Sequence, residues 1–128
     1  MNYYYLYDFS ESLARFKKYI FENKKKLIIW GFIDKDKNEI INDLFFDYVG
    51  DFHEDLARFI DSENNVCGFI DKNGAIIISL EDCEHINDFR NGLARFRTIN
   101  NEWGYINKNG KNNHLLIFLF LCYNLSCK

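Results

Sequence analysis

Phe52-His53-Glu54-Asp55-Leu56-Ala57-Arg58-Phe59, followed by Cys67-Gly68-Phe69-Ile70-Asp71-Lys72, decides the fold, because the chain writes both phrases three times. The first copy reads Phe9-Ser10-Glu11-Ser12-Leu13-Ala14-Arg15-Phe16, then Trp30-Gly31-Phe32-Ile33-Asp34-Lys35. The third reads Phe89-Arg90-Asn91-Gly92-Leu93-Ala94-Arg95-Phe96, then Trp103-Gly104-Tyr105-Ile106-Asn107-Lys108. Phe52 and Phe89 lie 37 residues apart, as do Gly31 and Gly68, while Phe9 and Phe52 lie 43 apart. The excess falls between Phe16 and Trp30, which marks that place as a surface turn. Self-similarity at this period is the signature of a repeat array, in which each unit buries its apolar face only against its neighbours.

Both phrases read as strands. Ala14 and Phe16 alternate with Leu13 and Arg15, and Trp30 and Phe32 with Gly31 and Ile33. Short polar loops at residues 61–65 and 99–102 join them as hairpins, and the first hairpin is longer, with its tip near Glu22-Asn23-Lys24-Lys25. Asp71-Lys72-Asn73-Gly74 and Asn107-Lys108-Asn109-Gly110 suit a type I turn closed by a Gly of positive φ. Lys37 replaces that Gly in the first copy, so either Lys37 is strained or Asn38 takes the left-handed position. A third strand follows, such as Ala75-Ile76-Ile77-Ile78, and a connector of about ten residues leads to the next Phe. The expected unit is therefore three short antiparallel strands plus a connector. The Gly before each aromatic-Ile pair implies a close approach that a side chain would block.

The paired phrases Phe-x-x-(Gly)-Leu-Ala-x-Phe and Trp-Gly-(Phe/Tyr)-Ile-(Asp/Asn)-Lys-x-Gly resemble the WG repeat family of bacterial proteins, over about Tyr3 to Lys111. Cys67 in place of Trp, Lys37 in place of Gly, and Ser12 and Asp55 in place of the Gly kept at Gly92 are local departures. The resemblance implies an all-β array of antiparallel hairpin repeats, three units of about 37 residues spanning roughly 3–46, 47–83 and 84–111. It implies binding or scaffolding, and it brings no catalytic residues. After Lys111 the pattern breaks into an apolar tail, 112–128, with the run Leu115 to Cys122. The tail reads either as a capping strand or helix, or as sequence beyond a lost reading frame.

The composition sets limits on function. Apolar residues make up 48% and aromatics 18% of the 128 residues, enough for a core, and the 13 Phe and 8 Tyr favour strands. The net charge of −3 implies neither a nucleic-acid nor a membrane partner. No apolar run approaches the roughly 20 residues of a spanning helix, and no signal segment opens the chain, so the cytoplasm is the expected compartment. Without a secretion signal, Cys67, Cys83, Cys122 and Cys127 are expected to be free thiols.

A few clusters have the residue types for chemistry. Glu81-Asp82-Cys83-Glu84-His85 could supply metal ligands but lacks ligand spacing, and is expected to be a solvated connector. Cys83 and His85 form the one sequence-local nucleophile–base pair, with no third member. No cofactor, metal or catalytic residue is expected. Lys17, Lys18, Lys24, Lys25 and Lys26 read as edge protection on the long hairpin. Arg15, Arg58 and Arg95 remain: a stacked array aligns them in a column. They either receive an anionic ligand or pair with nearby carboxylates such as Glu11 and Glu54. The function expected is a non-catalytic binding or scaffold module for a protein partner. The alternative is a carbohydrate or cell-wall module using exposed aromatics, which fails where those rings are buried.

Overall fold

A computed structural model of the chain describes residues 3–110. Its strands are β1 (Tyr3–Ser10), β2 (Leu13–Glu22), β3 (Lys25–Ile33), β4 (Glu39–Leu44), β5 (Tyr48–His53), β6 (Leu56–Asp61), β7 (Val66–Ile70), β8 (Ile76–Glu81), β9 (Cys83–Ile86), β10 (Leu93–Thr98) and β11 (Trp103–Asn107). They form three antiparallel sheets in chain order: β1-β2-β3-β4, β5-β6-β7-β8 and β9-β10-β11. The described residues are all β, as the repeats predict. The tail 112–128 lies outside them.

The repeating sheet has one strand more than the sequence reading assigns to it. The expected connector is itself a strand, β5 or β9, and β1 holds the same place in the first sheet. It pairs with the strand of the first phrase, through Tyr48↔Ile60, Val49↔Phe59 and Phe52↔Ala57. The first phrase is thus not a single strand. In the first two copies the residue after the opening Phe ends one strand, two residues turn, and Leu-Ala-Arg-Phe opens the next; in the third, β9 ends at Ile86 and Phe89 lies between it and the turn. Both turn residues have positive φ: 53° and 70° at Glu11 and Ser12, 52° and 70° at Glu54 and Asp55, 54° and 79° at Asn91 and Gly92. That is the type I′ geometry whose twist matches flanking strands, and Asn-Gly is its preferred pair. The first two copies conceal the turn behind Glu-Ser and Glu-Asp.

Alternation along each strand gives the middle sheet two apolar faces. Leu56, Cys67, Phe69 and Ile78 pack with Ile86, Phe89 and Phe96 of the third sheet. Val49, Phe52, Phe59 and Ile70 pack with Leu13, Trp30, Phe32 and Leu44 of the first. Phe rings meet across both junctions, with centroids 4.6 Å apart for Phe32–Phe52 and 4.5 Å for Phe69–Phe89. Each such ring contributes about 1.5–3 kcal/mol through its burial, which is why no sheet is self-sufficient.

The inferred close approach at the repeated Gly is present. A Cβ on Gly68 would strike the Ile78 carbonyl oxygen and come within 2.7 Å of the Phe59 ring. One on Gly31 would strike the Ile41 carbonyl oxygen and the Phe16 ring. At the other turn, Gly74 N–H donates to Asp71 O at 3.0 Å and Lys37 N–H to Asp34 O at 3.1 Å. Of the two readings for Lys37, the backbone takes the strained one: φ is 67° at Lys37, against 85° at Gly74.

Two substitutions test this packing. Gly68→Ala is expected to cost about 1–3 kcal/mol, the usual penalty of overpacking. Lys37→Gly is expected to add up to about 1 kcal/mol, the left-handed strain relieved less the freedom gained by the unfolded chain. Urea melts of both variants beside the wild type measure the two effects.

Candidate functional site

Each Leu-Ala-Arg-Phe arginine sits opposite a bulge. The register slips between Leu6 and Phe9 and between Val49 and Phe52, so that Tyr7-Asp8 faces Arg15 and Gly50-Asp51 faces Arg58. In the third copy Asn87-Asp88 faces Arg95, with Asn87 N–H donating to Arg95 O at 2.8 Å. The bulge at Gly50 leaves room for the arginine stem, since a Cβ there would lie 2.8 Å from Arg58 Cγ.

The bulge aspartate serves the preceding sheet. Arg15 Nε donates to Asp51 Oδ1 at 2.8 Å and Nη1 to Val49 O at 3.1 Å, while its guanidinium lies 3.8 Å over the Tyr7 ring. Arg58 repeats this one sheet on. Its Nη1 donates to Ile86 O at 2.8 Å, and its Nε lies 3.0 Å from Asp88 Oδ1, an ion pair outside hydrogen-bond alignment. The Arg15 side chain is 13% exposed and the Arg58 side chain 21%, so both pairs are partly desolvated.

A second ladder runs along the type I′ turns. The Glu11 carboxylate accepts from Glu54 N–H at 2.7 Å and Asp55 N–H at 2.9 Å. Glu54 Oε1 accepts from Gly92 N–H at 2.9 Å. The lysine of the Asp/Asn-Lys-x-Gly turn reaches back to the same glutamates: Lys72 Nζ is 3.4 Å from Glu11 Oε1, and Lys108 Nζ is 3.3 Å from Glu54 Oε1. The Gly92 N–H, opposed by desolvation and helped by Lys108 and the Asn91 N–H, holds the Glu54 carboxyl below its ordinary 4.5.

Among the described residues, both ladders stop at the third sheet. Arg95 is exposed, lies 4.3 Å over the Trp103 ring, and has no acidic partner among the described residues. It borders a cleft of about 600 Å³ with Arg58, Leu93 and Tyr105 in its lining. A second cavity, of about 370 Å³ and mostly apolar, opens at the other end between Leu6, Phe9, Phe16, Ile33 and Lys35. Leu6 and Phe9 are 59% and 46% exposed, whereas their counterparts Val49 and Phe52 are both fully buried.

The other sequence candidates are dispersed. The Cys83 thiol is buried and donates to the His85 carbonyl at 3.4 Å, while the His85 ring bonds Asn87 Oδ1 at 2.8 Å, so imidazole and thiol do not engage each other. A hydrogen bond with Cys83 and burial push the Cys67 thiol up. Glu84 pairs with Arg97 at 3.0 Å. No group of three or more His, Cys, Asp or Glu able to hold a metal ion occurs among the described residues, and no helix among them is long and apolar enough to cross a membrane. Of the aromatic column, Trp30, Phe32 and Phe69 are buried, whereas Trp103 and Tyr105 are only half-buried.

Sequence reasoning names Glu11 and Glu54 as possible partners for the arginines, but it misses Asp51 and Asp88. The signal is present: Asp precedes the opening Phe in every copy, at Asp8, Asp51 and Asp88. The glutamates serve the turn ladder instead.

A protein-family model described as "WG containing repeat" matches residues 30–64 and 68–102. Each matched segment begins in one sheet and ends in the next, so the unit of sequence spans a junction. Comparison with curated proteins and with solved structures returned no match.

Two measurements test the ladders. A double-mutant cycle on Arg15 and Asp51 is expected to give a coupling of about 1 kcal/mol, reduced from a fully buried pair by partial exposure. Glu54 has a lowered folded pKa, so its stabilisation is complete above 4.5 and is lost as the pH falls through the folded value. The stability gap between wild type and Glu54→Gln, followed by urea melts across pH, is expected to be widest above 4.5 and to close in acid.

Proposed function

The chain belongs to the WG containing repeat family, and from that membership we propose that it is a non-catalytic binding module for a protein partner. The observation that carries the reading is the identity of the two end cavities. The cleft beside Arg95, Leu93 and Tyr105 has the residues that at Arg58, Leu56 and Phe69 hold a neighbouring sheet. A surface whose internal copies bind a segment carrying an aspartate and a phenylalanine is suited to receive the same from another protein. Arg95 is the open member of the column Arg15, Arg58 and Arg95, and it would take the partner's carboxylate as Arg15 takes Asp51. The cytoplasm stays the proposed compartment, and the reading calls for no cofactor.

The carbohydrate alternative has one observation in its favour, the half-buried Trp103 and Tyr105 at the open end. Burial of Trp30, Phe32 and Phe69 removes the platform elsewhere.

A labelled peptide of residues 47–54, which includes Val49, Asp51 and Phe52, probes the end cleft. Saturable binding is expected, weakened about tenfold or more by Arg95→Glu, since a hydrogen bond between charged groups is worth about 1.5–3 kcal/mol. No binding of the peptide, together with retention of the protein on a glycan array, would transfer the assignment to the carbohydrate reading.

A further inference from the structure

We infer that the partner at these ends is a second copy of this chain, joined head to tail so that the third sheet of one copy meets the first sheet of the next. The inference rests on the reading of the ends as protein-binding surfaces, and it goes further by naming the occupant.

The argument is continuity with the two junctions inside the chain. At each of them three elements recur. An arginine pairs with the bulge aspartate of the following sheet, Arg15 with Asp51 and Arg58 with Asp88. The aromatic of the second phrase packs on the opening Phe of the following sheet, Phe32 on Phe52 and Phe69 on Phe89. A turn lysine of the following sheet reaches back to the residue that starts the preceding type I′ turn, Lys72 to the Glu11 carbonyl at 3.4 Å and Lys108 to the Glu54 carbonyl at 2.9 Å.

The next member of each series exists, divided between the two ends. Arg95 and Tyr105 stand at the far end, with Asn91 starting the turn. Asp8, Phe9 and Lys35 stand at the near end. Asp8 is exposed, and neither Asp8 nor Lys35 has a charged partner among the described residues. Docking sheet three of one copy on sheet one of another therefore pairs Arg95 with Asp8, Tyr105 with Phe9, and Lys35 with the Asn91 carbonyl. It also covers Leu6 and Phe9, the large apolar side chains left open at the near end where their counterparts are buried. Arg95 of one face meets the opposite charge of Asp8 on the other, while Lys37 at the near end and Arg90 at the far end bring like charges to the rim.

This junction is weaker than the internal ones, because Asn91 supplies the carbonyl but not the carboxylate that Lys72 and Lys108 find at Glu11 and Glu54. Association is thus reversible and concentration-dependent. A contact between two different surfaces is heterologous: it closes into a ring when the rotation per copy allows, and extends into a chain otherwise.

Charge exchange at the ends tests the proposal in the full-length protein. Asp8→Arg and Arg95→Glu alter exposed positions and leave the internal junctions intact. Sedimentation velocity across a concentration series is expected to show the wild type associating, as one closed species or as a series. Each variant alone sets like charges against each other and is expected to stay monomeric. An equal mixture of the two restores opposite charges at both kinds of junction. The arginine introduced in one variant then faces the glutamate introduced in the other, and the retained Asp8 faces the retained Arg95, so the mixture is expected to recover association. A monomeric wild type overturns the proposal, as does association that the variants leave unchanged. Binding of the 47–54 peptide by a monomeric wild type would overturn self-association while sparing the protein-binding reading; loss of both would remove both.

Discussion

The phenylalanine contacts across the sheet junctions, Phe32 with Phe52 and Phe69 with Phe89, set the terms for everything else in this protein. They bring two sheets close enough for an arginine to reach the next sheet's bulge and for a turn glutamate to reach the next turn's amides. Gly31 and Gly68 make room for other rings, since any Cβ there would strike a carbonyl oxygen and the Phe16 or Phe59 ring of the paired strand in the same sheet. The junction rings align the sheets, and alignment converts a repeated arginine into a ladder. Polar links of this kind specify register more than they stabilise: the pairs are partly exposed, and the apolar faces supply most of the free energy.

Much of this architecture is legible in the sequence. Repetition with strand-like alternation points to an all-β array, and the Asp/Asn-Lys-x-Gly turn announces its own geometry. What stays hidden follows from how signals overlap. The type I′ turn is concealed because Glu-Ser and Glu-Asp stand where only Asn91-Gly92 advertises a left-handed pair. The strands β5 and β9 read as connectors because a bulge interrupts the alternation: at Gly50-Asp51 two residues face Arg58, and period two is lost. The arginine partners escape notice because a single sequence shows neighbours along the chain, whereas Asp51 lies one sheet away from Arg15.

The arginine column thereby acquires a definite meaning. Inside the array it joins sheet to sheet, and at Arg95 it meets solvent with the same chemistry intact. In a linear array of like units the end units differ from the rest by one missing neighbour. Here the near end keeps Leu6 and Phe9 uncovered, and the far end presents Arg95 beside Tyr105. Capping repeats ordinarily turn a polar face outward. These ends retain the faces of internal members, which is why their surfaces carry the functional reading.

The central claim is that the middle sheet cannot stand without its neighbours, because both of its apolar faces are completed by them. The most direct measurement is the thermal melt, followed by circular dichroism, of an excised fragment of residues 46–82, which holds β5-β6-β7-β8 and lacks both adjoining sheets. The account predicts no cooperative transition and a disordered spectrum. A sigmoidal melt from a β-rich folded fragment would contradict it.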